Sequence, residues 1–329
     1  MTISARPRED RLIERPDLTL LDTREMPWEP FSGLAGGKVK ILSRDQEGNA
    51  TVMLVWLPPG ELPGVALPHR HYHRTIREFS YVLSGELPHW EYADAEQQQG
   101  DIVVFREGFF MERLPGSIHG LEPGRTSEAG CLLLMWRDGV GNWLDEPQAA
   151  EETIDVPYGE GGERRPPATP PPSAPGVVLA REDVTILDTR AMPWEPFAGC
   201  NGVQVKVLAR DDAGEPRVTL VYMPPGLRPG ARHARHYHRT VSEFALVLAG
   251  ELPHWEYRDA DQAQGDLVVF REGFYMDRRP GSIHGNECTV TSPTGCVLLM
   301  WRDGPGTWLD EPAAATETID VPYPNARTA

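Results

Sequence analysis

HYHRTIREFSYVLSGELPHWEY, residues 71–92, returns as HYHRTVSEFALVLAGELPHWEY at residues 236–257. In each copy two histidines stand two apart and a glutamate follows: His71, His73 and Glu78, then His236, His238 and Glu243. Residues i and i+2 of a strand share a face, so each His-x-His places two imidazoles side by side. The glutamate opens a second strand-like run, and a short turn before it would fold the carboxylate back toward the pair. Gly85 and Gly250 end that run and predict hairpin turns at SGEL and AGEL. A further histidine follows each copy at a distance, after a Pro-Gly pair: His119 and His284. Six of the ten histidines are used in this way. Three imidazoles and one carboxylate suit a borderline divalent metal and leave positions free for water or substrate. The pattern predicts two metal sites, ligated by His71, His73, Glu78 and His119 and by His236, His238, Glu243 and His284. The same donors can also close a tetrahedral structural zinc site, and that alternative stays open.

The repetition extends well beyond this stretch. DTREMPWEPFSG at 22–33 returns as DTRAMPWEPFAG at 188–199, and FREGFFMERLPGSIHG at 105–120 returns as FREGFYMDRRPGSIHG at 270–285. MWRDG, WLDEP and ETIDVPY also occur in both halves. The chain therefore reads as an internal duplication. GEGGERRPPATPPPSAPG joins the halves, and proline and glycine at that density build no core. The predicted plan is an N-terminal tail at 1–17, a first domain at 18–158, a linker at 159–176, a second domain at 177–323 and a C-terminal tail at 324–329. The ETIDVPY segments are candidate arms that pack on the other repeat.

Within each repeat the signals are those of strands. KVKILSRD, ATVMLVWLP, REFSYVL, GDIVVF and CLLLMW are short, β-branched or aromatic, and bounded by Gly, Pro or Asp. No long stretch has helical period. Regular short strands predict an all-β fold of two tandem barrels or jelly rolls, with a pocket in the mouth of each.

Composition narrows the function classes. With 32 Lys and Arg against 49 Asp and Glu, the net charge is −17. That balance argues against nucleic acid or an anionic membrane as partner. No apolar run approaches the ~20 residues that span a bilayer. The charged N-terminus lacks the apolar core of a signal peptide. The four cysteines are scattered, and Cys131 and Cys296 open apolar runs, so they read as buried strand thiols. A cytoplasmic location is expected.

Other residues carry weaker signals. His89 and His254 repeat in ELPHWEY and are candidate catalytic residues beside the metal, although a strand histidine in a polar setting explains them as well. Arg106 and Arg271 in FREG are candidates for binding an anionic substrate group; pairing with a neighbouring acid is the alternative. Trp28 and Trp194 read as staples tying the opening arm of each repeat to its barrel. His69 and His233 are not equivalent and read as surface residues.

The spacing H-x-H-x4-E-x6-G, His71 to Gly85 and His236 to Gly250, resembles the first signature of the cupin superfamily. Gly100-Asp101 with Pro115-Gly116-Ser117-Ile118-His119, and its copy ending at His284, resembles the second, though its spacing is longer than in the shortest cupin motif. EGFFMERLPGSIHG and GCLLLMW are most similar to ChrR-type cupins and to their relatives such as 2,4'-dihydroxyacetophenone dioxygenase. The resemblance covers about residues 50–140 and 216–305. It implies a bicupin: two double-stranded β-helix (jelly-roll) barrels, each with a metal inside held by the residues named above. The family's metals include iron, manganese, nickel, copper and zinc, so the resemblance does not fix the metal; three neutral histidines and one carboxylate favour Fe(II), with Zn, Mn, Ni or Cu as alternatives. The expected activity is a non-haem Fe(II) dioxygenase that cleaves a C–C bond in a small diketone, hydroxyketone or phenolic substrate. Two alternatives stay open: a non-redox isomerase, lyase or hydrolase, and a ChrR-like sensor or binding module. The expected partner is a small molecule, and further dimerisation of the chain to a homodimer stays open.

Overall fold

The computed structural model describes residues 11–31, 36–60, 71–73, 75–94, 96–97, 99–121, 128–138, 174–197, 202–227, 236–238, 240–259, 261–286 and 292–303. The ETIDVPY segments, His69, His233, the C-terminal tail and all but the last three residues of the linker lie outside these. The described residues are all-β, as the strand signals predict. The first repeat forms β1 (Arg11–Arg15), β2 (Leu18–Asp22), β3 (Glu29–Pro30), β4 (Lys38–Arg44), β5 (Ala50–Leu57), β6 (Arg77–Tyr92), β7 (Asp101–Arg106), β8 (Phe109–Arg113), β9 (Ile118–Leu121) and β10 (Cys131–Asp138). The second repeats them strand for strand: β11 (Val177–Ala180), β12 (Val184–Asp188), β13 (Glu195–Pro196), β14 (Gln204–Arg210), β15 (Pro216–Met223), β16 (Ser242–Glu256), β17 (Asp266–Arg271), β18 (Phe274–Arg278), β19 (His284–Asn286) and β20 (Cys296–Asp303). Among the described residues no helix is long and apolar enough to cross a membrane.

Every strand pair is antiparallel. One sheet runs β11-β12-β8-β6-β10-β5-β4-β3, with β7 and β9 also on β6. The other runs β1-β2-β18-β16-β20-β15-β14-β13, with β17 and β19 on β16. The compact units therefore do not follow the repeat boundaries. One comprises Pro27–Pro193, and the other comprises Met1–Met26 with Trp194–Ala329. In the first unit β12 pairs with β8, Val184 opposite Arg113 and Asp188 opposite Phe109. In the second unit β2 pairs with β18 in the same register, Leu18 opposite Arg278. The hairpin that opens each repeat thus completes the barrel built by the other. Residues 11–15, read from sequence as part of a tail, are the outer strand of such a hairpin, where Ile13 packs against the core.

Each core is the inward face of these strands. In the first unit Val55, Val82, Phe105, Met111 and Leu133 join Val184 and Ile186 of β12. Cys131 and Cys296 are free and buried, and burial pushes both thiols up to about 12. Trp28 is exposed, with the Lys40 ammonium 4.5 Å from its ring centroid. Lys206 sits in the same way, 4.4 Å over Trp194.

The long strand β6 positions the site. Its first half, Arg77–Gly85, pairs with β8 and β10; its second half, Glu86–Glu91, pairs with β7. The corner between them is Gly85, not the hairpin turn expected from SGEL. Gly85 has φ +81°, and Glu86 N donates to Gly130 O at 3.1 Å. That hydrogen bond draws the Gly130 carbonyl so close that a Cβ on residue 85 would lie 2.0 Å from it. A bulge at Leu83 on β6, opposite the step from Leu132 to Leu133 of β10, takes up the bend. Gly250 repeats the corner, with Gly295 O at 2.0 Å.

Gly85→Ala combines left-handed strain with a backbone clash and should cost about 3 kcal/mol or more. Gly48→Ala, at φ +90° with nothing within 4 Å, tests the strain alone; it should cost about 1 kcal/mol. Urea unfolding midpoints of the two variants measure the difference.

Candidate functional site

The backbone brings the distant histidine to the His-x-His pair. His71 N donates to His119 O and His119 N to His71 O, each at 2.8 Å, a hydrogen-bonded antiparallel pair. Leu114-Pro115-Gly116-Ser117 is a type II turn: Ser117 N donates to Leu114 O at 3.1 Å, and Gly116 has φ +91°. Gly116 N donates to His73 O at 2.7 Å, docking the turn on the histidine strand. Pro-Gly therefore does more than precede the fourth donor; it sets the register that presents it.

The ligand atoms of His71, His73 and His119 lie within 4.8 Å of one another, as do those of His236, His238 and His284. Ring centroids are 4.2 Å apart for His71 and His119 and 4.3 Å for His236 and His284. Glu78 Oε2 lies 3.4 Å from His119 Nε2. Glu243 Oε2 lies 3.4 Å from His238 Nε2 and 3.3 Å from His284 Nε2. All eight residues singled out from the sequence are thus assembled into two like clusters. His119 Nδ1 lies 3.0 Å from Ser117 O, and a carbonyl only accepts. Nδ1 therefore carries the proton, and the Nε2 lone pair is free to face the cluster. Ser282 O does the same for His284 at 2.9 Å.

The electrostatics suit cation binding. Burial, then the neighbouring His73, brings the His71 imidazole down to about 3; burial with Arg113 brings His73 down to about 4. His119 falls well below its ordinary value for the same two reasons, and His284 to about 4. His71, His73, His119 and His284 are neutral near pH 7 and available as donors. The buried carboxylate Glu243 is held well below the carboxylate range: burial alone would raise it, and His284 and Arg278 outweigh burial.

One arginine–glutamate pair that was not singled out from the sequence completes each cluster. Arg113 is buried on β8. Its Nη1 donates to Glu78 Oε2 at 3.2 Å, its Nε to Glu91 Oε2 at 3.2 Å and its Nη2 to Glu91 Oε1. Arg278 repeats this, with Nη1 to Glu243 Oε1 at 3.1 Å and Nε to Glu256 Oε2 at 3.4 Å. Glu91 and Glu256 have no exposed surface. Burial would raise both; Arg113 and His89, or Arg278 and His254, hold them at about 2. The signal was present in F-x-M-x-R, residues 109–113. Alternation puts Arg113 on the same face as Phe109 and Met111, and a charge on a core face needs a buried partner.

His89 and His254 do sit beside the clusters. The His89 ring stacks on His119 at 5.6 Å, and its Nδ1 is 3.0 Å from Glu91 Oε1. Arg106 and Arg271 do not join them. Arg106 is exposed and donates to Glu86 at 3.0 Å; Arg271 donates to Glu251 at 3.2 Å. Phe105 fills the core next door, so strand alternation turns Arg106 outward. The anion-binding role expected of the two arginines finds no geometry here, and pairing with a neighbouring acid is what they do.

Comparison with known proteins agrees with this architecture. Residues 182–305 match the ChrR Cupin-like domain family. No curated protein matches the chain in sequence. Among solved structures, a candidate dioxygenase from Nostoc punctiforme aligns with TM-score 0.58 at 12% identity, covering 92% of this chain and 86% of that one. Protein Ylba from E. coli aligns with TM-score 0.53 at 12% identity, covering 91% and 96%. Oxalate decarboxylase from Bacillus subtilis, which has Mn(II) centres, aligns with TM-score 0.50 at 14% identity, covering 87% and 77%. At these identities the likeness is one of fold: the chain has the fold of two cupin-like barrels.

The metal-free protein should be acid-labile. The unfolded chain takes up protons on these histidines below ~6.5, whereas the folded chain holds His71 and His73 neutral down to about 3 and about 4. Stability is therefore full above ~6.5 and falls as pH drops toward 4. Glu91 and Glu256, held at about 2, act with the same sign, and their contribution is lost as pH falls from ~4.5 toward 2. Melting temperatures of the chelator-treated protein between pH 8 and pH 4 should fall monotonically.

Proposed function

We propose that each barrel holds one divalent metal ion through three histidines and one glutamate, and that the protein is a non-haem Fe(II) dioxygenase cleaving a C–C bond in a small chelating substrate. The observation that carries the reading is the convergence of three imidazoles on a buried carboxylate, twice in one chain. A donor set of this kind fits a borderline divalent ion and leaves positions for other ligands. A metal bound there would supply Lewis-acid activation and, as iron, redox chemistry with O2.

The chain's own residues favour a particular kind of substrate. Inside the first barrel, the carboxylates of Glu78 and Glu91 face one guanidinium, that of Arg113. The polar set therefore carries one excess negative charge, and a divalent ion turns this into one excess positive charge. A singly charged chelator, such as an enolate or phenolate, then leaves the buried site neutral. A dicarboxylate would leave a net charge beside Phe105, a core residue that lies against both His89 and Arg113. This charge balance favours diketone, hydroxyketone or phenolic substrates. Ser117 and Ser282 contribute by fixing the histidine tautomers, and the apolar core excludes bulk water from the cluster.

A second reading, a metal-dependent sensor or binding module, is favoured by the ChrR Cupin-like match. Turnover separates the two. Elemental analysis of the purified protein should find about two equivalents of metal, and His71→Ala and His236→Ala should each remove about one. The iron-loaded protein should take up O2 with a simple β-diketone or a hydroxyacetophenone. A protein that carries only zinc and consumes no O2 with either probe rules out the dioxygenase reading.

A further inference from the structure

We infer that Arg113 and Arg278 are positioning residues that orient the carboxylate donor of each metal site, with Glu91 and Glu256 as their buttresses; this rests on the two-metal reading above. The guanidinium uses its donors in the same way in both barrels. One Nη reaches the site carboxylate, Glu78 at 3.2 Å or Glu243 at 3.1 Å. The Nε and the other Nη grip both oxygens of Glu91 or Glu256. A planar fork held on one side by a bidentate carboxylate has no freedom left to rotate. The carboxylate at its other end is fixed by the same plane. In the second barrel Glu243 gives Oε1 to Arg278 and turns Oε2 to His238 and His284. In the first, Glu78 Oε2 lies near both Arg113 and His119.

The buttress also reaches the flanking histidines. Glu91 Oε1 lies 3.0 Å from His89 Nδ1 and Glu256 Oε1 lies 2.8 Å from His254 Nδ1, and these rings stack on His119 and His284. One arginine therefore sets two neighbours of the metal site.

Stability alone does not account for this arrangement. Replacing a buried ion network with apolar side chains of similar volume is often neutral or stabilising. The residues of the network are nevertheless the same in both repeats, whereas their neighbours have diverged: Arg77 against Ser242, Glu112 against Asp277, Leu114 against Arg279. Lysine carries the charge but lacks the fork, so it could not hold two carboxylates at fixed angles.

The test is metal affinity in the full-length chain, with the untouched barrel as internal reference. Arg113→Met strands Glu91 as an unpaired buried acid, so the double variant Arg113→Met with Glu91→Gln keeps the fold testable. Mn(II) binding is measured by equilibrium dialysis and by the EPR signal of the bound ion. The double variant should lose about 10- to 100-fold in affinity at one site, so that at intermediate Mn(II) the chain holds about one equivalent in place of about two. At saturating Mn(II), where the ion compensates the Glu78 charge, the melting temperature of the double variant should stay near that of the parent. Arg113→Lys should fall between the two, and Arg278→Met with Glu256→Gln should affect the other site. Two equivalents at parental affinity in the double variants overturns the inference, as does full parental affinity in Arg113→Lys. A parent protein that takes up no Mn(II), Fe(II) or Zn(II) overturns the two-metal reading itself.

Discussion

One strand turning a corner organises each barrel. β6 carries Glu78 before Gly85 and carries His89 and Glu91 after it. The two halves pair with different strands, and the corner is tight because the Gly130 carbonyl occupies the space a Cβ would need. Were β6 straight, Glu78 and Glu91 would lie some 40 Å of extended chain apart, at ~3.3 Å per residue. Bent, both come within hydrogen-bonding distance of a single guanidinium. The hydrogen bonds between His71 and His119, and the Pro115-Gly116 turn docked on His73, bring the remaining donors to the same place.

The site concentrates charge where solvation is absent. Moving a guanidinium and carboxylates out of water costs several kcal/mol per ion, and pairing with good geometry is what offsets it. Arg113 meets that condition by gripping Glu91 with two donors and Glu78 with a third. The histidines meet it by staying neutral. The pieces are mutually dependent: the arginine lowers the proton affinity of the histidines, and they remain open as donors to a cation.

Much of this was legible in the residues. His-x-His gives two imidazoles on one face by strand geometry alone, and the duplication made Glu78 and His119 stand out because both return intact. Arg113 and Glu91 escaped notice because each also reads as an ordinary charged strand residue; only the partner opposite shows that it is buried. Arg106, for which pairing with a neighbouring acid was the other reading, stood as a candidate for the converse reason. Its candidacy came from the FREG motif, while its orientation is set by Phe105 entering the core. Gly85 was read as ending a strand because a glycine in SGEL has the local chemistry of a turn. The nearby Gly130 carbonyl, which makes it a corner within one strand, comes from far along the chain.

The sequence by itself determined the strand content, the duplication and the candidate metal donors, because these depend on alternation and spacing within short segments. It could not assign the opening hairpins. LTLLD and VTILD offer the same inward-facing apolar pattern, and β8 and β18 are nearly the same strand, so either hairpin suits either edge. Tertiary structure decided that β2 lies on β18 and β12 on β8. Local pairing energies that are almost equal leave such a choice to contacts made outside the hairpin itself. The burial of Arg113 between two carboxylates was decided in the same way, by strands distant in sequence meeting at one point.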